Sequence, residues 1–290
     1  MKLSVIIPTY NRADTLKTCL EKLVEQKGVD FEIIVVDDGS TDHTEKIMRD
    51  FREVKYVKQK NRHQGAARNN GANNAAGDIL MFIGDDIFVE PGFLMRHMDI
   101  HSMHPGEDVA VLGYTTWDPS LNINRYMKFL EKSGWQFAYH LLKPGFVDHP
   151  QPYKFFYTSN ISLKKSLFEK EKGFNESFKE YGWEDIELGY RCWKKHGLRL
   201  YYEPDARATH FHEIPESSLN KRMQTVGHTA VLFEKLEPAV SVVPKGLKRM
   251  MLTVVTHPIS IALSRLLGIN FYFKLKSWQE FLKGTKQKRS

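Results

Sequence analysis

Residues 3–7, 32–36 and 79–83 are short apolar runs rich in β-branched side chains, and residues 55–58 and 109–115 read as further strands. Runs of this kind are buried on both faces of a parallel sheet. Between them, residues 15–26 place Leu16, Leu20, Leu23 and Val24 on one helical face, with Asp14 positioned to cap it. Ser40, Thr41 and Asp42 open a second helix reaching about Phe51, and residues 66–76 form a third. Strands separated by one short helix each make right-handed βαβ units. The fold class is therefore α/β, a single mostly parallel sheet flanked by helices.

Periodicity is weaker further on. Residues 117–153 are aromatic-rich and broken by Pro144, Pro150 and Pro152, which predicts a helix and a mobile loop over the cleft. Regular structure resumes at 155–157, followed by a helix at 164–171. A second helix at 184–195 stops at Gly197, a strand spans 199–203, and everything after Pro215 reads as helical. Three segments result: a ligand-binding part at 1–115, a second part at 116–214 completing the site, and a helical extension at 215–290.

The two cysteines, Cys19 and Cys192, lie far apart, so neither a disulfide framework nor a zinc site is indicated. A reducing, cytoplasmic setting fits, and the apolar start is too short for a signal peptide. The net charge of +7 is concentrated at one end. From Pro244 to Ser290 ten Lys or Arg face one acid, Glu280, a net +9 that leaves −2 for the rest.

The candidate chemistry sits where strands end. Asp37-Asp38 and Asp85-Asp86 each follow an apolar run. Open α/β sheets bind ligands beyond the carboxyl ends of their strands. Four carboxylates there repel one another unless a cation sits among them. A divalent ion carrying a phosphorylated ligand answers that need. Small residues around Gly65 let backbone approach a ligand, and Arg68 offers charge to a phosphate; tight helix packing on the sheet is the plainer alternative. Glu184 and Asp185 open a helix whose dipole favours their ionised forms, so they also read as ordinary helix-start acids.

Together, SVIIPTYNR (4–12), VVDDGSTD (35–42), the Gly/Ala/Arg/Asn helix and GDILMFIGDD (77–86) resemble the family 2 glycosyltransferases over roughly residues 2–212. The resemblance implies a GT-A fold and inverting transfer from a nucleoside-diphosphate sugar, UDP being the commonest nucleotide. It places the nucleotide near Pro8, Tyr10, Arg12, Asp37, Asp38, Gly65 and Arg68, with Asp38 on the base. It puts Mn²⁺ or Mg²⁺ on Asp86, Asp85 on the ribose or a metal-bound water, and His210, in preference to His212, on the metal or diphosphate. Gly84 stands where many members carry a third acid. Asn160, in a strand-end segment, and Trp183 fall on the donor-sugar side. Asp185 becomes the general base, with Glu184 as its alternative or as an acceptor anchor.

The implied acceptor is a hydroxyl of a glycan or lipid-linked molecule, as in cell envelope polysaccharide synthesis. Residues 244–290 read either as a basic amphipathic surface for an anionic membrane, slightly preferred, or as a helical appendage with a solvated charged face. The first reading makes the protein peripheral on the inner face of the cell membrane. Confinement of the charge to one end argues against nucleic acid. A P-loop or G-x-G-x-x-G dinucleotide fold is excluded because neither motif occurs, and Pro-Thr-Tyr-Asn-Arg after the first strand, in place of a Gly-rich phosphate loop, argues against a sugar nucleotidyltransferase. The rival from another class is a non-catalytic nucleotide-sugar-binding protein of the same fold.

Overall fold

The computed structural model describes residues 1–287, so the last three residues of the basic tail lie outside it. The chain forms two compact units. The first comprises residues 1–121, 137–179 and 185–212, and the second comprises 122–136, 180–184 and everything from 213.

In the first unit the elements run β1 (Leu3–Thr9), α1 (Ala13–Val24), β2 (Phe31–Asp37), α2 (Thr44–Met48), β3 (Lys55–Lys58), α3 (His63–Asn73) and β4 (Ile79–Phe82). There the unit is the expected parallel sheet, β2 and β4 flanking β1 and β3 outside β2. Period-two alternation sorts its side chains. Val5, Ile7, Ile33, Val35, Ile79 and Met81 join Leu16, Leu20 and Leu23 of α1 in one core. Ile6, Ile34, Val36, Leu80 and Phe82 join Ala67 and Ala72 of α3 in the other. Gly71 lets α3 lie close on the sheet, for a Cβ there would stand 2.5 Å from Ile6 Cγ2.

Two local expectations change. Asp14 does not cap α1; it lies in the first turn, and Asp42 Oδ2 instead accepts from Ala13 N–H at 3.0 Å. Helix α2 begins at Thr44, not Ser40, because Asp42 Oδ1 accepts from Thr44 N–H and turns the chain first.

The sheet then becomes mixed. β5 (Ile87–Val89), α4 (Phe93–Met103), β6 (Val109–Trp117), β7 (Gly145–Phe146), β8 (Ile161–Lys164), α6 (Lys165–Lys170), α7 (Glu184–His196) and β9 (Arg199–His210) follow. The strand order is β3-β2-β1-β4-β8-β6-β9-β5, with β7 on β9. β8 runs antiparallel between β4 and β6, whereas β6 and β9 form a long parallel ladder.

Of the regular structure expected at 155–157 only the end of a 3-10 turn, Pro152–Phe155, is present; the strand is β8, whose buried Ser162 and Lys164 disguise it. β9 continues past residue 203 to His210, bulging around Pro204, where its register on β6 jumps between Gly113 and Tyr114. The loop expected to be mobile is pinned by rings: Tyr139 stacks on Tyr202 at 5.7 Å and Phe137 contacts Tyr157 at 5.0 Å.

The second unit is helical: α5 (Arg125–Ser133), α8 (Leu219–Leu236), α9 (Gly246–Val255), α10 (Pro258–Ser264) and α11 (Ile269–Gly284). Tyr126 and Phe129 of α5 pack on Phe273 of α11, and Ala230, Val243 and Phe281 form a small core with Trp135, Trp183 and Trp278. No single helix among the described residues is long and apolar enough to cross a membrane.

Candidate active site

Three segments distant in sequence meet beyond the ends of β1, β4 and β9. The turn after β4 presents Asp85 and Asp86, both buried. Thr9 Oγ1 donates to Asp85 Oδ2 at 2.7 Å, and Arg12 Nη1 donates to Asp85 Oδ1 at 3.2 Å and to Asp86 Oδ2 at 2.5 Å. From the other side His210 Nε2 lies 3.3 Å and His212 Nδ1 3.4 Å from the same Asp86 oxygen. Phe211 N–H donates to Asp86 O at 2.8 Å, which fixes the strand end on the turn. Trp117 stacks on His210 at 5.5 Å and backs its ring.

The two acids separate electrostatically. Burial, then the neighbouring Asp86, pushes the Asp85 carboxyl up to about 6, against Arg12 and Thr9. Burial also opposes ionisation of Asp86. The charge and hydrogen bond of His210, with His212 and Arg12, outweigh it and hold Asp86 well below the usual carboxylate range. Asp86 is the ionised member. One ligand atom from each of Asp86, His210 and His212 lies within 4.8 Å of the others, as chelation of a single cation requires. One carboxylate and two imidazoles suit a first-row transition ion better than Mg²⁺, which prefers oxygen. Gly84 has a local reason: a Cβ there would stand 2.6 Å from Asp86 Oδ1.

The sequence argument prefers His210 to His212, yet the structure brings both to Asp86. The signal was present in the i, i+2 spacing, since alternate residues leaving a strand share a face.

Beside this cluster, the turn after β2 is knitted to the first strand. Asp37 accepts from Ser40 N–H at 2.7 Å and from Tyr56 OH at 2.5 Å, and so holds the turn. Asp38 Oδ1 accepts from Gln59 Nε2 at 2.7 Å and Arg62 N–H at 2.8 Å. Asn11 N–H donates to Ser40 Oγ, and Asn11 Oδ1 takes Thr41 N–H at 2.7 Å. The segment with Pro8, exposed Tyr10 and Arg12 is thereby held against the Asp37-Asp38 turn. Gly65 packs toward Phe174 in the first turn of α3, and the Arg68 guanidinium lies 5.4 Å from the Phe174 ring centre.

Asp185 opens α7, where its Oδ1 accepts from Ile186 N–H at 2.8 Å and its Oδ2 from Thr158 N–H at 3.3 Å. Glu184 Oε2 accepts from Gly182 N–H at 2.9 Å. Arg191 fixes the helix. It donates to both Glu187 oxygens, to Glu171 and to the carbonyls of Glu171 and Gly173. Trp183 belongs to the second unit, where its indole N–H goes to Val226 O.

Asn160 is not a cleft residue. Fully buried, it precedes β8 and does not end a strand; its Nδ2 donates to Tyr114 O and Ala206 O at 3.2 and 2.9 Å, clamping the bulge between β6 and β9. Its Oδ1 is thus the acceptor for His97 Nε2 at 2.9 Å, leaving His97 Nδ1 to receive Ser162 Oγ–H at 2.8 Å. Ser162 in turn accepts from His101 Nε2 at 2.9 Å. With one ring nitrogen donating and the other accepting, His97 must be neutral. Burial agrees, pushing His97 down to about 4 and His101 to about 3.

Residues 4–170 match glycosyl transferase family 2, and residues 145–216 match the N-terminal domain of galactosyltransferase. Validoxylamine A glucosyltransferase of Streptomyces hygroscopicus subsp. jinggangensis is 33% identical over 223 residues, covering 68% of this chain and 52% of that protein. Chondroitin synthase of Escherichia coli is 26% identical over 256 residues, covering 78% of this chain and 36% of its own length. The chain thus spans about half or less of these curated relatives. Among solved structures, the mannosyltransferase PcManGT from Pyrobaculum calidifontis, in complex with GDP-Man and Mn²⁺, superposes with a TM-score of 0.67 at 17% identity, over 97% of this chain and 85% of that one. S. aureus TarS 1–349 in complex with UDP-GlcNAc gives 0.60 at 18%, over 99% and 91%. At such identities the likeness shows the GT-A fold.

Proposed function

The chain belongs to glycosyl transferase family 2, and from that premise we propose that it transfers a hexosyl or N-acetylhexosaminyl group from a nucleoside-diphosphate sugar to a hydroxyl of a glycan or lipid-linked acceptor. The observation that carries this reading is the convergence of Asp86, His210 and His212 beside the Asp37-Asp38 turn. The UDP-sugar and GDP-sugar complexes of the two structural neighbours support a nucleotide-sugar donor, and UDP is the nucleotide we favour.

Asp38 receives the base, Asp37 keeps the turn in shape, and Tyr10 offers an exposed ring beside them. Asp86, His210 and His212 would hold a divalent cation, Mn²⁺ by their donor types. Such an ion supplies charge neutralisation for the departing nucleoside diphosphate. Asp85 donates a hydrogen bond to a ribose hydroxyl or phosphate oxygen when protonated and accepts one from a ribose hydroxyl when ionised. Arg12 supplies positive charge at the same place.

Asp185 takes the proton as the acceptor oxygen bonds to the anomeric carbon and the carbon–phosphate-oxygen bond breaks. The electron pair leaves with the diphosphate. One carboxylate base and no second nucleophile give a single displacement, hence inversion.

The test is hydrolysis of UDP-, GDP- and dTDP-sugars with Mn²⁺, comparing wild type with Asp86→Ala, His212→Ala and Asp185→Asn. Slow release from one donor, lost in Asp86→Ala and strongly reduced in His212→Ala, is expected. Asp185→Asn retains donor binding but loses transfer to acceptor. Donor binding by calorimetry without turnover on any acceptor would instead identify a binding protein, and no nucleotide binding at all would overturn the reading.

A further inference from the structure

Two helices of the second unit, α9 and α10, turn their more apolar sides outward. On α9, Leu247, Met251 and Val254 recur as one helical stripe, each 58–67% exposed. Through α10 and the turn after it, Ile259, Leu263 and Leu266 continue the stripe at 56–84% exposure. The inward sides carry Thr256, Ile261 and Ser264, and Gln279 Nε2 donates to Thr256 O at 2.9 Å. Small polar groups are buried while leucines face out, the reverse of a helix packed for its own sake. The two helical stretches, Gly246–Val255 and Pro258–Leu267, meet at a bend of 60°, which forbids a straight span.

Charge decides what covers this surface. Residues 244–279 contain no acid, and Lys248, Arg249 and Arg265 lie within the same segment. A second copy docked face to face would bring these cations against a segment that offers no acid to pair with them. At the far end Arg265 also borders a hollow of about 680 Å³ lined by Arg125 and Lys276, where the acid Glu216 is already paired with Arg125. The complementary partner is apolar beneath and anionic at its surface.

We propose that residues 246–267 form a monotopic membrane anchor. The two short helices lie in the headgroup–acyl boundary of an anionic bilayer, the leucine stripe inserted and the exposed Lys248 and Arg265 at the phosphates. The anchor uses none of the residues of the candidate active site, so donor hydrolysis is an independent readout.

The experiment is sedimentation of the full chain with phosphatidylcholine vesicles, with and without phosphatidylglycerol, alongside size-exclusion chromatography. Binding to the anionic vesicles is expected, weakened about tenfold or more in a Leu263→Ser/Leu266→Ser double variant, in Lys248→Glu and at raised salt. Donor hydrolysis by these variants stays at the wild-type level. Wild type that fails to sediment, variants that bind as well as wild type, or a wild-type dimer dissolved by the double variant would each overturn the anchor. Vesicle binding without any donor hydrolysis would count against the transferase reading alone.

Discussion

Arg12 Nη1 donates to Asp86 Oδ2 at 2.5 Å, the same oxygen that faces His210 and His212. A guanidinium therefore neutralises the acid on which a cation would bind. Arg12→Ala removes that competitor while leaving all three ligands. Mn²⁺ affinity without donor should rise by on the order of tenfold, about 1.4 kcal/mol, in a calorimetric titration. Weaker binding would mean that Arg12 orients Asp86 and does not compete for it.

Gly84 is as close to Asp86 as any side chain could be. A Cβ there meets Asp86 Oδ1 at 2.6 Å, and that carboxylate cannot rotate freely, because Oδ2 has three partners. Gly84→Ala is expected to fold normally yet bind Mn²⁺ about tenfold more weakly. Unchanged affinity would show that the carboxylate has room to move.

Arg191 is the buried anchor of the helix that opens with Asp185. Its side chain is 11% exposed and spans Glu187, Glu171 and the carbonyl of Gly173. Arg191→Ala leaves two buried carboxylates with fewer partners, and breaking buried pairs costs about 3–5 kcal/mol. Thermal unfolding should show a drop of several degrees, and a loss below about 1 kcal/mol would remove the network from the account of how α7 is held.

Acid should weaken the first unit through His97. Its folded pKa, near 4, lies below the ordinary 6.5, so the unfolded chain binds more protons between those values. Stability is complete above about pH 6.5 and falls as pH drops towards 4, by about 3 kcal/mol from this residue. His97→Gln keeps a donor for Asn160 and an acceptor for Ser162 without titrating. Urea midpoints should fall less steeply with acid in the variant than in wild type; parallel slopes would contradict the neutral relay.

What the sequence disclosed, and what it hid, follows from which side chains carry periodicity. Strands β1, β2 and β4 are legible because apolar side chains fill both of their faces, so Val35, Val36, Leu80 and Met81 announce burial directly. β8 and α4 are hidden because polar residues interrupt what they bury: Ser162, His97 and His101 hydrogen-bond in a relay that no apolar count detects. Pro204 ended the apparent strand at 203, whereas the bulge carries β9 on to His210. Asp85, Asp86 and Arg12 stood out as candidates in their motifs, and the structure brings them together. That His210 and His212 both face Asp86 needed the strand to be seen first. Asn160 was misread because a buried clamp and a polar turn look alike in one dimension.

The contact between Arg12 and His212, 3.3 Å across a sequence separation of 200 residues, dates the site within folding. Local elements form before long loops close, because closure entropy must be overcome first. A chain halted before β9 would already hold the first four strands, but its two neighbouring acids would face Thr9 and Arg12 without either histidine. The cation cluster is therefore among the last parts to assemble, and fraying at the end of β9 would dissolve it before the sheet opens. Metal affinity thus reports whether the chain has closed on itself, and in a refolding experiment it should appear after the secondary structure has reached its full signal.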